Sequence, residues 1–221
     1  MFQPPQREGM RGHCSDLVIA WAVEKYGARR LVDLGCGNGR DALQLIRCGL
    51  ADFVLGIDDG SEPHNGRIAT VKDMIPSDVK EQLYLVDGPY DILRDIHHRD
   101  LNGENQEDWP TLEVQAADGW SGIDGLNLCY SNNVIEHVEE PDDFIGVSLQ
   151  MAPLAMFVLP HVRHGWCEDH LHWWTAGEFR RLLEKHGEVL ELDVMADPPP
   201  FPCYEEHCKH ELLFAVIRRV Q

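Results

Sequence analysis

The feature that most constrains the fold is the glycine-rich turn in "VDLGCGNGR". Gly35, Gly37 and Gly39 alternate where an apolar, strand-like run (30–35) passes into a helical pattern (39–49). Glycine suits such a turn because it adopts backbone conformations closed to other residues and lets a ligand approach the backbone closely. The stretch therefore predicts a strand–turn–helix unit whose turn binds a ligand.

An acidic residue follows at the spacing typical of nucleotide-binding units. The second strand-like run, "DFVLGID" (52–58), ends in Asp58, which lies 19 residues beyond Gly39, and Asp59 comes next. An acid at the carboxyl end of the neighbouring strand can accept hydrogen bonds from ribose hydroxyls. Turn and acid together predict a nucleoside-containing ligand, and NAD, FAD and S-adenosylmethionine (SAM) could all use them.

The remaining patterns favour an α/β fold with a mainly parallel sheet, because short apolar runs alternate with helical periodicity. The predicted helices are 15–26, 39–49, 142–151 and 175–187, and the predicted strands are 30–35, 52–58, 111–118, 125–130, 154–160, 188–194 and 211–219. Thr175, with Glu178 three residues later, predicts a capping box at the start of the last helix. The last two strands are joined without a helix, so they must be antiparallel to each other if they are adjacent.

The stretch 61–110 has weaker patterning and is longer than a usual crossing between two strands. A helix is predicted within it, after Ser77. We expect a single domain over residues 1–221, with this stretch as an insertion at the edge of the domain.

The charge balance argues against a surface that follows a phosphate backbone. There are 19 Lys and Arg against 38 Asp and Glu, which gives a formal net charge of −19. No apolar run approaches the length of a membrane span, and the first residues, "MFQPPQREGM", lack the layout of a secretory signal. The seven cysteines include no CxxC pair, which is typical of reduced thiols. We therefore expect a cytoplasmic protein without nucleic-acid or membrane partners.

The glycine turn resembles motif I of the class I SAM-dependent methyltransferases, in which "DLGCGxG" is a frequent wording. The glycines follow a G-x-G-x-G pattern, and Asp33 stands two residues before the first of them. The resemblance covers residues 29–60 and 111–187. It implies SAM as cofactor and a seven-stranded, mainly parallel Rossmann-like sheet. It further implies an antiparallel last strand. We expect helices on both faces of this sheet, and we expect the stretch 61–110 to be an insertion between strands two and three.

The same resemblance implies roles for individual residues. Asp33 and the backbone of the glycine turn would adjoin the methionine portion of SAM, as would one of the asparagines after the fourth strand. Asp58 would hold the ribose, with Asp59 beside the adenine. Asp118, closing the strand 111–118, would accept a hydrogen bond from the adenine amine. The implied cofactor-binding residues are Asp33, Gly35, Cys36, Gly37, Gly39, Asp58, Asp59, Asp118, Gly119, Asn132 and Asn133.

A second segment, "SNNVIEHVEEP" (131–141), resembles the "NVLEHVxDP" segment of methyltransferases that act on small molecules. It implies that Glu136 and His137 begin the helix after strand four, with His137 near the methyl group as a proton acceptor. The alternative is that the pair forms a polar first turn that only lines the pocket. His161, which follows Pro160 at the end of strand five, is a second candidate base.

We expect the methyl acceptor to be a small molecule, with oxygen rather than nitrogen as the accepting atom. After the fourth strand the sequence reads "YSNNV". Enzymes that methylate exocyclic amines of DNA bases resemble one another in an "NPPY"-like element at this point, and this chain lacks it. Two further alternatives are a module that binds SAM without turnover and a nicotinamide oxidoreductase.

A third segment favours a different acceptor. "EDHLHWWTAGEF" (168–179) resembles the "DHxFEWTxxEF" segment of small-RNA 3′-terminal ribose 2′-O-methyltransferases, which hold a divalent metal with an "ExxEH" segment. Matched by position, Glu136, His137 and His170 coincide with three metal ligands, whereas Asn133 stands where that family has a glutamate. Losing a carboxylate weakens a site for hard cations, so we predict no metal and keep the RNA enzyme as the alternative function.

Overall fold

A seven-stranded sheet organises the chain, with the strands in the order β3-β2-β1-β4-β5-β7-β6. The computed structural model describes residues 2–5, 10, 14–37, 39–58, 77–87, 125–161, 170–196 and 211–220. The strands are β1 (Arg30–Leu34), β2 (Phe53–Asp58), β3 (Leu83–Asp87), β4 (Leu128–Asn132), β5 (Leu154–Pro160), β6 (Gly187–Ala196) and β7 (Glu211–Arg219). The pairs among β1 to β5 are parallel, and β7 runs antiparallel to both of its neighbours. The predicted mainly parallel sheet with an antiparallel last strand is confirmed.

Helices cover both faces of the sheet, as predicted. They are α1 (Cys14–Tyr26), α2 (Arg40–Arg47), α3 (Pro141–Met151) and α4 (Ala176–Leu183). Apolar side chains of α1 and α2 pack in one cluster and those of α3 and α4 in another. Successive strand residues point to opposite faces, so Leu31 belongs to the first cluster and Val32 to the second. Burial on both faces explains why the parallel strands read as continuous apolar runs.

The third strand differs from the sequence prediction. Instead of a helix after Ser77, the chain forms one 3₁₀ turn (Ser77–Val79) and then β3, which pairs in parallel with β2. Periodicity misleads here because "LYLVD" is too short to distinguish a strand from part of a helix. Part of the stretch 61–110 therefore belongs to the sheet. The strand predicted at 111–118 lies outside the described residues.

The carboxyl ends of β1, β2, β4 and β5 lie along one edge of the sheet, because these strands are parallel. Gly35, Asp58, Asn132 and His161 are the residues at or just beyond these ends, and we call this side the carboxyl edge. β7 is reversed, so it begins at the carboxyl edge with Glu211. In open α/β sheets, ligands bind outside this edge.

None of the helices in the described ranges is both long and apolar enough to cross a membrane.

The start of α4 provides a test of the local structure. The Thr175 hydroxyl accepts a hydrogen bond from the Glu178 amide at 3.3 Å, and the Glu178 carboxylate accepts one from the Thr175 amide at 2.9 Å. This is the predicted capping box. Thr175→Ala should lower the free energy of unfolding by about 1 kcal/mol, measured by urea denaturation. Thr175→Ser, which keeps the hydroxyl, should stay within a few tenths of the parent. An alanine variant as stable as the parent would show that the cap does not stabilise the helix.

Candidate functional site

The glycine turn after β1 has the backbone that its sequence predicts. Gly35, Gly37 and Gly39 have φ angles of 76°, 51° and 70°, in the left-handed region that favours glycine. A Cβ atom on Gly35 would lie 2.2 Å from Cγ2 of Val134, in the turn that follows β4. The two turns are therefore packed against each other, which leaves no room for a side chain between them.

Hydrogen bonds fasten this turn to the end of β2. The amides of Gly35 and Cys36 both donate to the Ile57 carbonyl, at 2.7 and 3.1 Å. The Gly37 amide donates to Oδ2 of Asp58 at 2.7 Å, and the Asp58 side chain is half-buried. The acid and the glycine turn, which the sequence separates by some twenty residues, are thus built as one unit.

Cys36 contributes its backbone rather than its thiol. The side chain is buried, and Sγ would lie 2.8 Å from a Cβ atom on Gly56 of β2. Burial raises the pKa of the thiol, with further contributions from the carboxylates of Asp33 and Asp58. The thiol is therefore neutral and serves as packing beneath the turn.

Asp33 lies inside β1 and is almost fully buried, with 3% of its surface exposed. The Tyr130 hydroxyl donates to its Oδ2 at 2.8 Å. Burial raises the pKa of the Asp33 carboxyl well above its usual range, Asp41 and Asp58 add to the effect, and the Tyr130 hydrogen bond opposes it. Asp33 is therefore held protonated, and the carboxylates of Asp41 and Asp58 create the negative potential here that favours a positively charged ligand group.

Asn132, the last residue of β4, and Asn133, just beyond it, have different surroundings. Nδ2 of Asn132 donates to Oδ2 of Asp41 at 3.0 Å, whereas its Oδ1 is buried and accepts no hydrogen bond from the part of the chain that is described. Asn133 is exposed and has a φ of 56°. A buried acceptor without a donor is costly, so Oδ1 of Asn132 suits a ligand that carries a donor.

Glu136 and His137 do not begin a helix, and that prediction is wrong. They lie in a turn, and α3 starts only at Pro141. Proline is favoured in the first turn of a helix and disfavours helical backbone in the residue before it, which fixes this start. The carbonyl of Glu136 accepts hydrogen bonds from the amides of Leu171 and His172, at 2.9 and 3.1 Å.

These backbone bonds bring three potential ligand groups together. One carboxylate oxygen of Glu136 and one ring nitrogen from each of His137 and His170 lie within 4.8 Å of one another. The two rings meet edge to face, with centroids 4.7 Å apart, and Glu136 is only 1% exposed. Two imidazoles and a carboxylate form a donor set that suits Zn²⁺ and other divalent transition metals better than Mg²⁺. We call these residues the Glu136 cluster.

His161, the other candidate base, stands at the carboxyl edge and is buried. Its Nδ1 lies 3.0 Å from Oε2 of Glu211, the first residue of β7. Sequence patterns give no sign of this contact, because Glu211 begins an ordinary apolar strand and stands fifty positions from His161. Tyr130 was missed for a similar reason, since it reads as one more apolar residue of β4. The predicted residues Asp59, Asp118 and Gly119 lie outside the described ranges.

Several solved structures that share this fold are methyltransferases or methyltransferase domains. The methyltransferase domain of a bacterial Hen1 protein (CtHen1) has a TM-score of 0.59 and 16% identity, covering 91% of this chain and 95% of that one. A SAM-dependent methyltransferase from Mesorhizobium loti has a TM-score of 0.59 and 17% identity, covering 93% and 98%. The N-terminal domain of EvdMO1, with S-adenosylhomocysteine (SAH) bound, has a TM-score of 0.55 and 14% identity, covering 93% and 81%. No protein-family model and no curated protein matches the sequence. The chain has the class I methyltransferase fold.

The burial of Asp33 predicts a specific dependence of stability on pH. Because its folded-state pKa is raised, its contribution to stability is complete below about pH 4 and is lost as the pH rises through the folded-state value. Asp33→Asn, which can still accept from Tyr130 without carrying charge, should therefore unfold at a higher temperature than the parent at pH 8. We expect a gain of several degrees, at about 2–4 °C per kcal/mol for a chain of this size.

The gain should shrink as the pH falls toward 4, measured by calorimetry in a series of buffers. Asp78→Asn, at an exposed position, is the matched control and should follow the parent throughout. Parallel curves for the parent and Asp33→Asn would contradict the buried, protonated state of Asp33.

Proposed function

We propose that this protein is a SAM-dependent methyltransferase that transfers a methyl group to a hydroxyl oxygen of a small molecule. The observation that carries the proposal is the Gly37–Asp58 hydrogen bond of 2.7 Å at the carboxyl edge of a class I methyltransferase fold. It joins a turn that admits a ligand close to the backbone to a carboxylate suited to ribose hydroxyls.

The residues present fit SAM. Asp58 has a half-buried carboxylate with lone pairs beyond the one that Gly37 uses. The buried Oδ1 of Asn132 offers an acceptor to the ammonium group of the methionine portion. Asp41, which lies close enough to raise the pKa of Asp33, adds negative potential, and this suits a ligand that carries a sulfonium and an ammonium. When bound, SAM supplies an electrophilic methyl group.

The chain has to align an acceptor with this methyl group, exclude water and remove a proton. The turn of Glu136 and His137 comes soon after the end of β4, so in this proposal it would border the methyl end of the cofactor. The strongly acidic composition, with a net charge of −19, favours a small or cationic acceptor over a polyanion.

The cofactor assignment is tested by calorimetric titration with SAH. Asp58→Asn should weaken SAH binding by about 10- to 100-fold, the cost of removing a hydrogen bond to a charged group. Asp52→Asn is the matched control, because Asp52 immediately precedes the same strand at its other end and is exposed. It should bind SAH like the parent. A parent that binds neither SAM nor SAH, or equal binding by both variants, would contradict the assignment. Tight binding without any methylated product would instead indicate a SAM-binding module.

A second candidate function is metal-assisted methylation of the 3′-terminal ribose of RNA. The convergence of the Glu136 cluster within 4.8 Å favours it, as does the fold similarity to the CtHen1 domain. Glu136, His137 and His170 would hold the cation, which would supply positive charge that acidifies and orients a ribose hydroxyl. In this case His137 would be a ligand and would not accept the proton. Asn133 in place of a fourth acidic ligand and the acidic composition weigh against this candidate.

Metal titration separates the two candidates. The protein, stripped with chelator, should bind Mn²⁺ or Zn²⁺ with one equivalent if the second candidate is right, measured by calorimetry and by Mn²⁺ paramagnetic resonance. Glu136→Gln and His170→Asn should each lower the affinity by at least 10-fold. Glu139→Gln, an exposed position in the same turn, should have no effect. Transfer should then require the cation and a free 3′-terminal ribose on a short RNA. No binding by the parent would eliminate the second candidate.

A further inference from the structure

We propose that His161 and Glu211 form a catalytic pair, in which Glu211 holds the imidazole so that Nε2 of His161 takes the proton from the acceptor hydroxyl. The proposal rests on the proposed function, since it assigns the proton acceptor of the same reaction. In this assignment His161 is the catalytic residue and Glu211 is a positioning residue.

The pair is fixed by both main-chain and side-chain contacts. The His161 amide donates to the Glu211 carbonyl at 2.9 Å, and Nδ1 lies 3.0 Å from Oε2. The two side chains are 9% and 11% exposed. The preceding residue, Pro160, pairs with Leu212 at the end of the β5–β7 ladder. The ring therefore sits on two hydrogen-bonded strands rather than on a free loop, which suits a precisely oriented group.

The hydrogen bond determines which nitrogen carries the proton. A carboxylate can only accept, so Nδ1 of the neutral ring donates to Glu211 and Nε2 is left with its lone pair. Within the described part of the chain, no acidic side chain other than that of Glu211 forms a hydrogen bond or an ion pair with the His161 ring. The opposite nitrogen is thus free of competing acidic partners there.

The position of the pair suits an acceptor beyond the cofactor. β5 lies two strands from β1, so His161 is displaced sideways from the glycine turn by roughly 10 Å at 4.8 Å per strand. Between them lies β4, with Asn132 and the turn of Glu136 and His137. An acceptor placed over the end of β4 would have the cofactor on one side and His161 on the other.

Stabilisation of the fold does not explain why a histidine and a glutamate are buried together here. Burying two ionisable groups costs desolvation energy, and apolar replacements of buried pairs are often neutral or stabilising. A histidine oriented by a carboxylate is, by contrast, the recurrent arrangement for general bases, where it contributes about 10²- to 10⁴-fold to the rate.

The step balances in atoms and charge. The acceptor O–H bond breaks as its proton passes to Nε2 of His161. The electron pair left on the oxygen forms the bond to the methyl carbon. The electron pair of the broken S–CH₃ bond stays on sulfur, which gives SAH. The imidazolium then returns its proton to water, with Glu211 stabilising the transient positive charge.

The test combines kinetics with a matched control. His161→Gln and His186→Gln make the same substitution in two histidine–carboxylate pairs, since His186 Nε2 lies 2.8 Å from Oδ1 of Asp142. His186 precedes Gly187, which pairs with Arg219 at the far end of β7, so it lies at the opposite edge of the sheet. The acceptors are catechol, adenosine and a short RNA with a free 3′-terminal ribose, with methyl-labelled SAM.

We expect His161→Gln to lower kcat by at least 100-fold while SAH binding stays within twofold of the parent. His186→Gln should leave kcat within twofold. Glu211→Ala should lower kcat by 10- to 100-fold with little change in KM, and Glu211→Gln, whose amide oxygen can still accept from Nδ1, should recover part of the loss. Nitrogen-15 NMR of the parent should show the proton of His161 on Nδ1.

The possible outcomes distinguish a wrong assignment of the catalytic pair from a wrong proposed function. The assignment of the catalytic pair alone would be wrong if the parent turns over and His161→Gln is equally active. It would also be wrong if the neutral His161 ring carries its proton on Nε2. A fall in kcat for Glu211→Gln as deep as for Glu211→Ala would overturn the positioning role of Glu211. Absence of SAH binding by the parent, or binding without turnover on any acceptor, would overturn the proposed function and the pair with it.

Discussion

The site depends on one constraint, the return of the chain after β1 onto the end of β2. Three backbone amides, of Gly35, Cys36 and Gly37, donate to Ile57 and Asp58, and they can do so only because the glycines adopt left-handed φ angles. Any side chain at Gly35 would collide with Val134 as well. The same turn thus determines three things: the contact with the turn after β4, the start of α2 and the placement of the acid that would face a ribose.

Acidic groups are concentrated where the strands end, and burying them opposes stability. Asp33 is buried with its pKa raised, and Asp41 and Asp58 repel it. Glu136 is more fully buried still, beside two histidines. The apolar clusters on both faces of the sheet must offset these costs. Perturbed carboxyl groups of this kind cluster at functional sites more than in structural cores.

Local signals in the sequence predicted most of the fold. The glycines predicted the first turn, alternating helical and apolar runs predicted six of the seven strands of the sheet and its four helices, and Thr175 with Glu178 predicted a capping box. β3 was missed because a five-residue run has no distinctive period, and its pairing with β2 is a long-range choice. The Glu136 cluster followed from a family resemblance. Glu211 could not be predicted, because only the reversal of β7 brings it to His161.

The reversal of β7 also affects the order in which the protein can fold. β7 lies between β5 and β6 in the sheet, although β6 is synthesised before β7. Within the described ranges, β6 pairs with β7 and forms a single bridge to Phe2, and it has no other strand neighbour. During synthesis β5 therefore keeps an open, apolar edge until β7 has left the ribosome. Unpaired edges of this kind recruit other strands. A nascent chain stalled before residue 211 should accordingly be bound by chaperones more strongly than one released after residue 219.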